Sequence, residues 1–379
     1  MSYLQPHAWR RCTVAISMYA NGSRAQPFLV IKGYHMGSAW FEEAFNKLPG
    51  VSFFFEYEHC LKDLAPAGST LAPVMLTFRH LQQSCGSCAG QKRTTRCRAC
   101  GVVPPPDGSR LQLSTASSTA HWPAGAAREA PCVATGISFA ALGGPYWQHL
   151  VALRRLMPTL PVLVHVRSNL VKHALSYLRQ ACPGEKNHVT KAKERARLYV
   201  PPARLLLRVR SISYAQQAML RRASELTGGA KMHHIVYEAM QADVGAELRR
   251  VLRVVGAVPP AEPPPTERGA MVKAGFDDLR AALANFGELD GVLAPLPCLP
   301  KMLHATSPQV FPLKACEAVG DVLGEQRKQP GHGGLNLSVA REMARVEDFD
   351  RAASSTRGAR PKELSPSNCE GRADPFDPS

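Results

Sequence analysis

Three short stretches of this chain carry side chains suited to holding anions or moving protons. The first reads His35-Met36-Gly37-Ser38-Ala39-Trp40. Gly37 lets the backbone approach a ligand closely, and Ser38 adds a hydroxyl. Apolar residues at Trp40, Phe41, Ala44, Phe45 and Leu48 follow at helical spacing. The N-terminus of such a helix offers free N–H groups and the positive end of a dipole, together a cradle for phosphate or sulfate. The plainer reading is that Ser38 only caps the helix. In the second stretch, Glu56 and Glu58 follow an apolar run; two carboxylates there suit proton transfer, or they are simply solvated. The third is Arg167-Ser168, just past the apolar run 160–166. A guanidinium there has the fork that grips a phosphate. Lys32, three residues before His35, falls within a strand and is expected to lay its stem along apolar surface with the ammonium in water.

A fourth group has a different chemistry. Cys85-Gly86-Ser87-Cys88 and Cys97-Arg98-Ala99-Cys100 are two Cys-x-x-Cys pairs. They fit one tetrahedral structural zinc or a disulfide-stapled loop. Either role stabilises the segment and does no chemistry, because a closed four-cysteine site has no open position.

The elements that must position these residues follow from the apolar pattern. Short buried runs at 28–32, 51–55, 132–139, 160–166 and 232–237 read as strands. Helical spacing marks 38–48, 147–157, 169–179, 191–198, 213–226, 244–255 and a region over 276–293. Strands alternating with helices predict an α/β fold: a central parallel sheet flanked by helices on both faces. Ligands bind beyond the C-terminal ends of such strands. His35, Gly37, Ser38, Glu56, Glu58 and Arg167 all lie just after a strand, so they collect on one side of the sheet. Residues 1–26 read as a lead-in and 27–349 as one domain, with a Cys-, Pro- and Ser-rich insertion over about 64–131. Residues 350–379 read as a polar, disordered tail.

With 379 residues and a formal charge of +16, the chain is long enough for one large domain and strongly basic. The basic residues are spread through the helices, so most belong to a solvated surface. They lack the aromatic interleaving of single-strand binders, and nucleic acid is not the expected partner. No run of about 18 apolar residues is present, so no transmembrane segment is expected. No Gly-x-x-x-x-Gly-Lys-Ser/Thr occurs, which argues against a P-loop kinase or hydrolase.

Taken together, the motifs resemble the sulfotransferases that use 3′-phosphoadenosine 5′-phosphosulfate, in their carbohydrate and nodulation-type branch. His35-Met36-Gly37-Ser38-Ala39-Trp40 corresponds to the family's 5′-phosphosulfate loop. Arg167-Ser168-Asn169 with Ser176 corresponds to its 3′-phosphate motif. Ile235-Val236-Tyr237-Glu238, followed by a helix that stops at Gly256, matches a third pattern. Lys273, Asp278-Leu279-Arg280 and Asn285-Phe286-Gly287-Glu288-Leu289 resemble the branch's C-terminal region. The resemblance spans roughly residues 27–303, apart from the insertion. It implies a sulfotransferase fold related to the P-loop-containing nucleoside triphosphate hydrolases. It implies 3′-phosphoadenosine 5′-phosphosulfate as co-substrate and a hydroxyl acceptor, in this branch that of a carbohydrate. Gly37, Ser38, Ala39, Trp40, Arg167 and Ser176 would then bind the co-substrate. His35, Glu56 and Glu58 would be the catalytic residues. Trp40 is expected to pack in the core rather than stack on adenine.

The departure from the pattern is His35, where the family has Lys or Arg. An imidazole can donate a hydrogen bond but is mostly neutral at neutral pH; Lys32, three residues earlier, is the alternative cation, although its strand position favours the snorkelling stem. Two functions therefore stand side by side: a sulfotransferase, or a weak or inactive relative of the same fold that binds a nucleotide or an anionic glycan. The resemblance implies a Golgi or secretory setting, and a complete N-terminus at Met1 would imply a cytoplasmic one.

Overall fold

The computed structural model describes residues 25–33, 38–48, 50–54, 74, 133–140, 145–180, 197–229, 232–258 and 278–313, and the single positions 323, 339, 341, 343 and 345. Five strands form one sheet: β1 (Gln26–Lys32), β2 (Val51–Phe54), β3 (Ala134–Phe139), β4 (Val162–Val166) and β5 (His233–Val236). Their order is β2-β3-β1-β4-β5, and every pairing is parallel. All residues of β2, β3 and β4 are buried, as in a sheet covered on both faces.

Helix α1 (Ser38–Asn46) joins β1 to β2, and α2 (Pro145–Leu156) joins β3 to β4 across β1. On the α1 face, Phe28, Val30, Val51, Phe53, Leu163 and Ile235 pack under Phe41, Phe45 and Leu48. That face is completed by α5 (Tyr237–Ala242) and α6 (Val244–Val254), through Met240, Leu248, Val251 and Leu252. Its centre is aromatic: Phe28 and Phe53 stack with centroids 5.7 Å apart, and Phe41 meets Phe53 edge-on at 5.2 Å. Gly136 on β3 is in register with both Phe28 and Phe53. A Cβ there would lie 2.6 Å from the Phe53 ring and closer still to Phe28, so only glycine admits the stack. On the other face, Leu29, Ile31, Ile137, Phe139, Val162, Val164 and Val166 pack against Leu150 and Leu153 of α2 and the end of α4 (Pro202–Thr227).

A third cluster is built mainly by helices. It gathers α3 (Leu170–Gln180), the first half of α4, α7 (Leu279–Ala282), α8 (Phe286–Leu293) and α9 (Leu299–His304). Helix α4, at 26 residues, is about 39 Å long. It ties the lobe, through Leu205, Leu206, Val209 and Ile212, to the sheet, through Met219, Ala223 and Leu226.

Both sheet edges are covered by side chains that satisfy strand backbone. Asn46 donates to the Phe53 carbonyl at 3.0 Å and accepts from its N–H at 2.8 Å. Arg250 donates to the His234 carbonyl while gripping Glu247 with two bonds of 2.7 and 2.6 Å. Such pairings blunt an edge that would otherwise template further strands.

Several sequence expectations are corrected. The helix expected at 213–226 begins at Pro202, because Leu205, Leu206, Val209 and Ile212 extend its apolar face and a proline fits its first turn. The charged helix expected at 191–198 does not include Leu198, which forms a parallel bridge to Leu283; residues 191–196 lie outside the described residues. Tyr237 opens a helix rather than ending a strand. The helical region expected over 276–293 is two short helices, separated where Asn285 turns back to pair both backbone groups of Val200 at 3.1 and 2.9 Å. Most of the lead-in, almost all of the insertion over 64–131 and the tail over 350–379 lie outside the described residues. No described helix is long and apolar enough to cross a membrane.

Candidate functional site

Between the neighbouring strands β1 and β4 the chain connections diverge toward opposite edges of the sheet. From β1 the chain leaves through α1 toward β2, and from β4 it leaves toward β5 at the other edge. The crevice at the C-terminal ends of β1 and β4 is thus the topological switch point, where open α/β sheets bind ligands.

On the β4 side the chain turns through Arg167-Ser168-Asn169 into α3. The turn is held by a buried carboxylate from the first turn of α5. Glu238, 3% exposed, accepts from the Ser168 N–H at 2.8 Å, the Ser168 hydroxyl at 2.9 Å and the Asn169 N–H at 3.1 Å. Asn169 caps α3 by accepting from the Lys172 N–H at 2.9 Å, and it donates to the Met302 carbonyl at 3.0 Å. The Phe311 N–H donates to the Ser168 hydroxyl at 3.1 Å. Two residues of the C-terminal lobe, Met302 and Phe311, therefore bear on the same tripeptide.

Arg167 stands on this braced turn with its side chain 11% exposed. Its guanidinium lies 4.8 Å from the centroid of the Tyr237 ring and donates to the Ser176 hydroxyl at 3.3 Å. Its Nε is 3.8 Å from the Glu238 carboxylate. Ser176 sits two turns along α3, and its hydroxyl also donates to the His173 carbonyl at 2.7 Å. Arg167 is thus pre-oriented by a ring face, a hydroxyl and a carboxylate, which limits the rotamer entropy it loses on gripping an anion.

On the β1 side, Ser38, Ala39 and Trp40 form the first turn of α1. Trp40 is half-buried against the α1-face core, and its ring meets Tyr237 edge-on at 6.0 Å. Tyr237 is thereby shared: Trp40 contacts its edge and Arg167 its face. The structure brings the N-terminus of α1 and the Arg167–Ser176 pair to one crevice. His35, Gly37, Glu56 and Glu58 lie outside the described residues, as do Cys85, Cys88, Cys97, Cys100 and Lys273. Among the described residues, no cluster of His, Cys, Asp and Glu is arranged to hold a metal ion.

Lys32 is not a snorkelling side chain. It is 2% exposed, on the α1 face of the sheet, in register with His165. His165 is fully buried, packs against Phe41 with centroids 5.2 Å apart, and has no hydrogen-bond partner on either ring nitrogen among the described residues. Burial, then the charges of Lys32 and Arg167, push its pKa down to about 3, so the ring is neutral at physiological pH. His165 is not among the residues the sequence singles out, and Glu238 figures there only as the end of a motif and Lys32 only as a strand lysine near His35. Signals existed for each: a carboxylate just after a strand, and a Lys and a His inside otherwise apolar runs.

No family model matches the chain, and no curated protein matches it. Solved structures of sulfotransferases are similar to it. One from Alicyclobacillus acidocaldarius is 14% identical, covers 75% of this chain and 97% of its own, and has a TM-score of 0.32. One from Mycobacterium avium is 12% identical, covers 86% of this chain and 82% of its own, and has a TM-score of 0.30. At such identities and TM-scores the likeness carries no argument about activity.

Proposed function

We propose that the chain is a sulfotransferase of the P-loop-like sulfotransferase fold. It would transfer a sulfuryl group from 3′-phosphoadenosine 5′-phosphosulfate to a hydroxyl of a carbohydrate. The observation that carries the reading is the Arg167–Ser176 pair facing the N-terminus of α1 across the switch-point crevice. The co-substrate carries two anionic ends, and the crevice has two kinds of anion donor. The guanidinium fork and the Ser176 hydroxyl suit the 3′-phosphate. The free N–H groups and dipole of α1 suit the 5′ end. Glu238 holds Arg167 and its turn in position and does not itself contact the nucleotide.

When bound, the co-substrate supplies an activated sulfuryl group, which bonds to the acceptor oxygen as its bond to the 5′-phosphate breaks and adenosine 3′,5′-bisphosphate departs. This chain would orient the acceptor in line and donate hydrogen bonds, from the α1 N-terminus and His35, to the oxygen on which charge builds. Glu56 or Glu58 would take the acceptor's proton. The carbohydrate class and the base follow from the resemblance alone. A secretory setting, such as the Golgi, fits the disulfide at Cys298.

The test is calorimetric binding of adenosine 3′,5′-bisphosphate to the wild type and to Arg167→Ala, followed by turnover with radiolabelled sulfate. The expected result is micromolar wild-type binding, weakened about 30-fold or more in the variant, the scale of one charge-assisted contact of about 2 kcal/mol. No wild-type binding would overturn the reading. Binding without turnover would leave a nucleotide-binding relative that has lost the chemistry, as His35 at the usual Lys or Arg position would favour.

A further inference from the structure

The 5′ end of the crevice has more built into it than a helix N-terminus. Along the α1 face of β1, Phe28 and Val30 are core residues. The next residue on that face, the last of the strand, is a lysine buried to 2%. Along the same face of β4, Leu163 is core and the next residue is His165; Arg167 follows just past the end of the strand. Core packing alone would favour apolar residues at positions 32 and 165. Instead two adjacent strands carry Lys32 and His165 near their C-terminal ends, with Arg167 just beyond, and Phe41 in the first turn of α1 packs on the His165 ring.

His165 supplies the independent sign of a ligand site. It is completely buried, yet both ring nitrogens lack hydrogen-bond partners among the described residues. A fold that carries such a ring next to a lysine and an arginine sacrifices stability at that position, and such sacrifices cluster at binding sites. Lys32 and Arg167 both act electrostatically on His165, so the cations share one neighbourhood. Glu238 is occupied with the turn at Ser168 and Asn169 on the Arg167 side.

We propose that Lys32 binds the 5′ anion of the nucleotide and supplies the fixed positive charge that His35 does not, with His165 as the neutral ring behind it. The inference rests on the function proposed above and names the cation for its 5′ subsite. It moves that cation from the loop to the end of β1, a strand position that the surrounding sheet holds rigid.

Two nucleotides separate this inference from the one it rests on. Adenosine 3′,5′-bisphosphate uses both subsites, and adenosine 3′-monophosphate uses only the Arg167–Ser176 side. Calorimetry with the full chain is expected to show Lys32→Met weakening the bisphosphate at least 30-fold while leaving the monophosphate within threefold. Lys32→Gln, a polar replacement, guards against misfolding of the Met variant, with thermal melting as the check that each variant folds. A mutation-free reading comes from the ring nitrogen resonances of His165 in the wild type, expected to shift with bisphosphate and not with monophosphate. Equal weakening of both nucleotides, or unchanged bisphosphate binding in both Lys32 variants alongside a loss in His35→Ala, would overturn the assignment and leave the sulfotransferase reading standing. A wild type that binds neither nucleotide overturns both.

Discussion

Replacing Glu238 with glutamine keeps the shape of the side chain and removes its charge. In the wild type one carboxylate oxygen accepts from the Ser168 N–H and hydroxyl, at 2.8 and 2.9 Å, and the other accepts from the Asn169 N–H at 3.1 Å. A carboxamide has one acceptor oxygen. If it faces Ser168, the NH₂ group meets the Asn169 N–H, donor against donor, and approaches Arg167. One charged hydrogen bond is lost, a buried N–H is left unsatisfied, and Arg167 loses the carboxylate 3.8 Å away. The lost bond and the unsatisfied N–H are one event, which costs about 1–3 kcal/mol. The ion pair is long and adds less, so the total is about 2–3 kcal/mol. At about 2–4 °C per kcal/mol, the melting temperature should fall by roughly 4–12 °C. The assay is urea unfolding followed by circular dichroism, with Glu238→Asp as the comparator that keeps the charge but shortens its reach. Nucleotide affinity should also fall, because the turn carrying Arg167 has lost its brace. A Gln variant within about 0.5 kcal/mol of wild type would refute the view that this carboxylate organises the turn.

Other perturbations test other parts of the structure. His165 has a folded pKa of about 3, below its unfolded value, so its contribution to stability is present above about pH 6.5 and is lost as pH falls toward 3. His149, lowered to about 4 by burial, adds to the same acid-side loss. The expected slope from His165 is about 1.4 kcal/mol per pH unit in that window, and His165→Leu should remove that share in urea titrations between pH 6.5 and 4.5. Gly136→Ala drives a methyl into the Phe28 and Phe53 rings and should cost about 3 kcal/mol, read as a lowered urea midpoint; a neutral result would mean the stack can part. Asn285→Ala strips both backbone groups of Val200 of their partner and should cost about 2 kcal/mol in thermal melting. Asp243→Ala removes the cap that accepts from the Ala246 N–H at 2.8 Å, with a smaller expected loss of about 1 kcal/mol in the same assay.

The elements that were legible in the sequence are those with a strong local pattern. The five strands were readable because buried parallel strands are continuous apolar runs, and α1 because Phe41, Phe45 and Leu48 repeat at helical spacing ahead of Pro49-Gly50. The start of α4 was missed because arginines interrupt its first turns and hide the stripe of Leu205, Leu206, Val209 and Ile212. The break between α7 and α8 was missed because it depends on Asn285 reaching Val200, a partner 85 residues away. At the site, Arg167 and Ser176 stood out by motif. Glu238 stood in a motif too, but without a role, since that role consists of hydrogen bonds to residues 70 and 69 positions earlier in the chain.

By itself the sequence determined the alternation of apolar strands and helices, and with it a parallel sheet whose polar residues gather beyond one edge. It also showed an arginine just past a buried apolar run, and a glycine-serine pair ahead of a stretch of helical spacing. Only the tertiary structure decided that β1 and β4 are neighbours with opposite connections, and so that α1 and Arg167 face one crevice. It alone decided that Lys32 is buried beside His165 and that Tyr237 joins Trp40 to Arg167. The physical reason is range. Periodicity and capping are local and act within a few residues. Burial, charge pairing and ring contact depend on which distant segments the sheet order brings within a few ångströms.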